Sequence, residues 1–147
     1  MNRVLTLIII ALLLILLAMG RLNSEETDLN SSGTKWTGKQ ELEQISSDEK
    51  SIAIPGQSEI YFNAGKTCQK VNIYNPEEND CSMIFTLIAD GEEIWKSGEC
   101  FPGYGYYTID IERPLETGTY DAILVHECFR DAIQLNTANI NLKLIVL

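Results

Sequence analysis

The chain has 147 residues, a formal net charge of −10 and a pI of about 4.5. That length holds one domain plus a terminal segment and falls short of two full domains. With 21 acidic side chains against 11 basic ones and no Lys/Arg cluster, the composition excludes nucleic acid as a partner and disfavours anionic lipid headgroups, since both present phosphate.

The N-terminus reads as a signal-anchor helix over residues 1–21. Val4 to Gly20 carries no charge, and Thr6 is its only polar side chain. A helix of that length spans about 25 Å, against about 30 Å for a bilayer core. Ala18-Met19-Gly20 supplies the small residues of a signal-peptidase site, and a chain cut before Arg21 is secreted. The Leu/Ile density argues instead for a retained anchor through residues 4–20. No Cys follows the run, so attachment as a lipoprotein is excluded. Arg3 favours a cytoplasmic N-terminus, which places the remainder outside the cytoplasm in either case.

Residues 22–50 read as an acidic flexible linker. Glu25, Glu26, Asp28, Glu41, Glu43, Asp48 and Glu49 outweigh Lys35, Lys39 and Lys50, and such a stretch buries too little apolar surface to fold alone. A flexible connector of this length spans about 30 Å root-mean-square. Trp36 is its one large aromatic, with three destinations open: the domain, the membrane interface or solvent.

From residue 51 onward, short apolar runs separated by turn signals predict an all-β domain over 51–147. Ile52 and Ile54 open the pattern and Pro55-Gly56 interrupts it. Ile60/Phe62, Val71/Ile73 and Met83/Phe85/Leu87 follow at period two. Ile84 and Ile88 make the third of these strands apolar on both faces, which predicts a central position. Asp90-Gly91 is a hairpin turn, and Ile94-Trp95 lie in the next strand. Tyr107, Ile109 and Ile111 then alternate with Tyr106, Thr108 and Asp110. Tyr120, Ala122 and Leu124 share a face, and Ile140, Leu142, Leu144 and Val146 form a half-exposed final strand. Seven or eight strands fit a two-sheet antiparallel β-sandwich. Leu115–Ala122 has the form of a tyrosine corner, in which the Tyr120 hydroxyl bonds back to nearby backbone. This makes the sandwich immunoglobulin-like. Ala122 stands where an antibody domain has its second Cys, and Phe85 where it has its Trp.

Tyr74-Asn75-Pro76-Glu77-Glu78-Asn79-Asp80-Cys81, Asp90-Gly91, Ser97-Gly98, Pro102-Gly103, Leu115, Gly118–Ala122 and Glu127-Cys128-Phe129 occur in an order that resembles a family of small membrane-anchored proteins of Gram-positive-type bacteria, often carried on mobile or conjugative elements. The resemblance covers residues 52–147 and the anchor layout. It implies an immunoglobulin-like domain and no established activity. Some members of that family are described as tRNA uracil methyltransferases. This chain is too short for a methyltransferase fold and has no Gly-rich loop after a strand to hold S-adenosylmethionine, so no cofactor is expected. Cys68 and Cys100 lie outside the shared pattern.

The four cysteines, Cys68, Cys81, Cys100 and Cys128, contain no C-x-x-C, so neither a zinc site nor a thioredoxin-type centre is expected. In an immunoglobulin-like order, Cys81 begins one strand and Cys128 ends its antiparallel neighbour. The two are therefore expected together, as a disulfide in an exported domain. Cys100 belongs to the same end and competes for that bond, whereas Cys68 belongs to the opposite end. His126 is the only histidine, which excludes an imidazole-built metal site; a Ser-His-Asp triad would have to use it, and its parity with Leu124 near a strand end reads as structural instead. Glu77, Glu78 and Asp80 crowd one loop that could hold a cation weakly, although their spacing is not that of an EF-hand. Glu92-Glu93 and Glu99 are the only candidate acid pair. No catalytic, metal or cofactor residue is assigned.

The most suggestive surface segment is Cys100-Phe101-Pro102-Gly103-Tyr104-Gly105-Tyr106-Tyr107. Phe101, Pro102, Tyr104 and Tyr106, with Phe129 at the same end, are the candidate partner-binding residues, because aromatic loops on a rigid scaffold are common recognition surfaces. The expected function is that of a membrane-tethered extracytoplasmic interaction module for a protein or cell-wall component. An accessory subunit of an export or conjugation assembly is the alternative; an exported inhibitor or enzyme ranks below both.

Overall fold

In the computed structural model the described residues are 32–38 and 52–147. The anchor expected over residues 1–21 lies outside them, and no helix among the described residues is long and apolar enough to cross a membrane. The domain is all-β, with strands β1 (Thr34–Lys35), β2 (Glu59–Phe62), β3 (Cys68–Tyr74), β4 (Ser82–Ala89), β5 (Glu92–Lys96), β6 (Tyr104–Asp110), β7 (Gly118–Arg130) and β8 (Ile133–Val146). They form two sheets, ordered β1-β6-β3 and β2-β8-β7-β4-β5.

The period-two alternation builds one core between the sheets. Phe62, Ile73, Met83, Phe85, Leu87, Ile109, Leu124, Leu144 and Val146 are all buried within a single cluster. Strand β4 is central, between β7 and β5, as its two apolar faces predict. Asp90 and Gly91 take φ of 48° and 83° between β4 and β5, the left-handed pair that a two-residue hairpin turn requires. The Tyr120 hydroxyl donates to the Glu116 carbonyl at 2.9 Å, closing the expected corner.

Four expectations are corrected. First, the sheets are not wholly antiparallel: β2 runs parallel to β8, from Glu59 opposite Lys143 to Phe62 opposite Val146. The two are far apart in sequence, so no hairpin dictates their direction. Second, Ile52 and Ile54 pack on the core without forming a strand. Asn79 substitutes for a neighbouring strand there, accepting from Ala53 N–H at 2.8 Å and donating to its carbonyl at 2.9 Å. Third, Tyr106 rather than Tyr107 faces the core. A register shift between Lys70 and Ile73 inverts the alternation of β6, so Tyr106 and Ile109 both point inward and Tyr107 is exposed.

The fourth concerns the segment read as linker. Residues 32–38 belong to the fold: β1 pairs with β6, Thr34 opposite Gly105 and Lys35 opposite Tyr104. Trp36 stacks on Tyr74 with ring centroids 3.8 Å apart and donates from Nε1 to Asn72 Oδ1 at 2.9 Å. Its N–H bonds the Gly103 carbonyl at 2.8 Å. Gly105 permits this layering, because a Cβ there would lie 2.6 Å from the Ile73 carbonyl oxygen.

Strands β7 and β8 are longer than their apolar runs. They continue to a tip at Asp131-Ala132, where φ is 50° and 62°. No glycine announces this turn, and the first half of β8 is exposed on both faces.

Two buried amides hold opposite ends of the core. At one, Gln69 accepts from Asn63 N–H and donates to the Asn63 and Lys66 carbonyls, at 2.8, 2.9 and 2.7 Å. At the other, Asn75 is fully buried. Its Nδ2 donates to the carbonyls of Cys81 at 2.8 Å and Cys100 at 3.0 Å, while Oδ1 accepts from Asn79 at 2.8 Å. Its backbone N–H bonds Tyr104 O and its carbonyl accepts from Gly103, both at 2.9 Å. Asn75→Ala strands the Cys81 carbonyl and removes one of two bonds each from the Cys100 carbonyl, which keeps Met83 N–H, and from the Asn79 amide, which keeps the Ala53 carbonyl. We expect a loss of about 2 kcal/mol, at 1–3 kcal/mol for the stranded group, read as a fall in the urea midpoint. Exposed Asn72→Ala, which removes only the bond to Trp36, costs about 1 kcal/mol in the same measurement.

Candidate functional site

The Asn75 network shapes the end of the domain that carries the predicted residues. By holding the carbonyls of Cys81 and Cys100 together, it sets the start of β4 against the loop after β5. Met83 continues this arrangement: it exchanges both backbone hydrogen bonds with Cys100 at 2.8 Å and lies opposite Cys128 on its other side. Cys100 and Cys128 thus flank Met83 from opposite sides, two strand spacings apart, about 9.6 Å. That exceeds the reach of a disulfide without backbone movement, so Cys100 does not compete for Cys128 as expected.

All four cysteines are free thiols in this structure; Cys68 is exposed and the other three are buried. Cys81 and Cys128 are within hydrogen-bond reach of each other. Burial raises all three buried thiols, with Cys100 and Cys128 pushed up to about 12; the neighbouring Cys81 adds to the rise at Cys128. The thiolate, which is the nucleophile, is therefore scarce in the folded domain. Cys68 opens β3, opposite Asp110.

Beside these thiols is a surface depression of about 410 Å³. Phe101, Pro102 and Phe129 form its apolar wall, and Asp80, Glu99, Arg130 and Asp131 its charged rim. The rim is organised: Ser82 Oγ donates to Glu99 Oε1 at 2.5 Å, and Arg130 pairs with Asp80. The structure therefore brings three of the five predicted partner-binding residues together. Tyr104 and Tyr106 are elsewhere, on β6 beneath the 32–38 segment. Tyr106 sits edge-on to Phe85 and Trp95, and its hydroxyl meets Ser32 Oγ.

The acidic groupings separate. Asp80 turns to Arg130, while Glu77 and Glu78 line a different depression of about 370 Å³ beside Trp36 and Gly103. Glu92 pairs with Arg113 at the far end of β5 from Glu99, so the candidate acid pair is not assembled. Among the described residues, no three His, Cys, Asp or Glu side chains gather as a metal cage.

Sequence reasoning missed the shallow depression of about 710 Å³ on the outer face of the five-stranded sheet, where Ile88 and Ile123 lie among Asp90, Asp121, Asn141 and Lys143. Ile88, on the second apolar face of β4, and Ile123 beside Asp121 were its traces in the sequence. Comparison with protein-family models, with curated proteins and with solved structures gives no match to this chain.

His126 is 1% exposed, edge-on to Phe85 at 5.1 Å. Burial lowers its pKa to about 4, partly offset by a hydrogen bond to the Leu124 backbone. The unfolded chain, with an ordinary value of 6.5, binds the proton first as pH falls. Stability is therefore full above pH 6.5 and is lost as pH falls towards 4, by about 3 kcal/mol in total. Urea midpoints measured across this window should fall in the native chain, and His126→Gln should remove that part of the slope.

Proposed function

We propose that this chain is a membrane-tethered, extracytoplasmic interaction module with an immunoglobulin-like fold, which binds a protein or cell-wall component through the Cys81/Cys128 end. The pairing of β3 with β6 in one sheet and of β4, β7 and β8 in the other, together with the Tyr120–Glu116 bond, supports the immunoglobulin-like reading. The family resemblance of the turn motifs agrees with it. The observation that carries the function is the depression in which Phe101, Pro102 and Phe129 are presented, half-buried, inside a rim of both charge signs. Apolar anchors within a polar rim are the common anatomy of a protein-binding patch.

In an oxidising compartment Cys81 and Cys128 close as a disulfide. A disulfide-bearing oxidant takes their two electrons and two protons and leaves as two thiols.

Two measurements test the proposal. A membrane-impermeant maleimide added to intact cells should label exposed Cys68 and give no product with Cys68→Ser. Labelling that requires lysis puts the domain inside and ends the extracytoplasmic reading. A photo-crosslinking amino acid at Phe101 should capture one defined species above the level seen from exposed Tyr61. With the probe kept at position 101, Pro102→Ala with Phe129→Ala should lower that capture at least about tenfold at an unchanged melting temperature; equal yields from Phe101 and Tyr61 remove the basis for a binding site there.

A further inference from the structure

The loop Phe101-Pro102-Gly103 separates two surface depressions. Pro102 lines the one of about 410 Å³ and Gly103 the one of about 370 Å³. The loop is held on both sides, since Gly103 N–H bonds the Asn75 carbonyl and the Gly103 carbonyl accepts from Trp36 N–H. Both depressions are anionic. The first carries Asp80, Glu99 and Asp131 against Arg130. The second carries Glu77 and Glu78, with no basic side chain in its lining. Five carboxylates against one guanidinium leave a formal charge of −4 around a single loop.

The domain does not neutralise these charges itself. Arg130 is already engaged by Asp80. Glu99 accepts from the Ser82 hydroxyl at 2.5 Å, which fixes its orientation and leaves its charge in place. Among the described residues, Glu77, Glu99 and Asp131 form no ion pair. A partner seated on Phe101, Pro102 and Phe129 removes water from this rim. Carboxylates that lose water without gaining a counter-charge oppose binding. A cation brought in by the partner removes that penalty and speeds encounter.

We propose that the occupant of this site is a polypeptide segment in which lysine or arginine adjoins an apolar side chain. The apolar group rests on Phe101, Pro102 and Phe129, and the cationic groups meet Glu99 and Asp131 on one side of the loop and Glu77 on the other. The inference rests on the interaction site proposed above and names the chemistry of its partner. Charge complementarity selects it. An anionic wall polymer is repelled by the same carboxylates, and an uncharged glycan covers them without pairing them.

The test uses the full chain in its native membrane, with the photo-crosslinking amino acid at Phe101 and the background taken from Tyr61. The adduct should map to a peptide with Lys or Arg adjoining the cross-linked position. Glu99→Gln keeps the acceptor for Ser82, and Asp131→Asn keeps a residue that tolerates the φ of 50° at this turn. Each should lower capture about threefold, the scale of one partly exposed ion pair, at an unchanged melting temperature. Raising ionic strength from about 0.1 M to about 1 M shortens the screening length from about 10 Å to about 3 Å and should erase the difference between native chain and variants. Asp110→Asn, exposed at the opposite end beside Cys68, should leave capture unchanged. Failure of the site and failure of its partner chemistry read differently. Capture no higher than from Tyr61 removes the site and the proposal together. A defined species whose yield is the same in Glu99→Gln and Asp131→Asn keeps the site and overturns the basic partner in favour of an uncharged one. Yield that rises in either variant, or an adduct that carries phosphate and resists protease, overturns it in favour of an anionic wall polymer.

Discussion

One buried amide, Asn75, ties together two stretches of chain, residues 79–81 and 100–104, that adjoin each other only in the folded state. Its side chain and backbone use every donor and acceptor they have, on the start of β4, the loop around Cys100, the start of β6 and Asn79. Asn79 passes the constraint on to Ala53. A fully satisfied buried network of this kind specifies one arrangement, because every alternative strands a polar group in a low-dielectric interior. The thiol cluster, the Phe101/Phe129 depression and the docking of residues 52–54 all depend on it. Gln69 performs the equivalent task at the opposite end, on a tighter loop.

What was legible in the sequence follows from which physical signals are local. Strands β4 and β5 were readable because Asp90-Gly91 carries its own backbone requirement and the apolar alternation is uninterrupted. The Tyr120 corner was readable because its partner, Glu116, is four residues away. The side-by-side position of Cys81 and Cys128 followed from topology alone. The inversion in β6 was not readable: a bulge shifts the alternation by one, and Tyr106 and Tyr107 are chemically too alike to reveal which is inside. The first half of β8 was missed because the turn before it is Asp-Ala and its residues are largely polar and exposed. Residues 32–38 were missed because their order comes from Tyr74, Asn72 and Gly103, all distant in sequence.

The predicted aromatic surface is consequently divided. Phe101, Pro102 and Phe129 remain at the surface depression, while Tyr104 and Tyr106 pack against the core, the Tyr106 hydroxyl meeting Ser32. Composition identified the right residue types in the right loop. The division between presented and occupied depends on long-range contacts.

The attachment of β1 also determines how the domain bears load. A pull applied at residue 32 reaches the domain through β1, a strand of two residues flanked by the contacts of Ser32, Trp36 and Thr37. The larger β2–β8 pairing is shielded behind it. Peeling β1 from the edge of β6 releases residues 32–38, a contour of roughly 24 Å when extended. The segment is thus a mechanical fuse: it yields first, lengthens the connection and spares the folded domain.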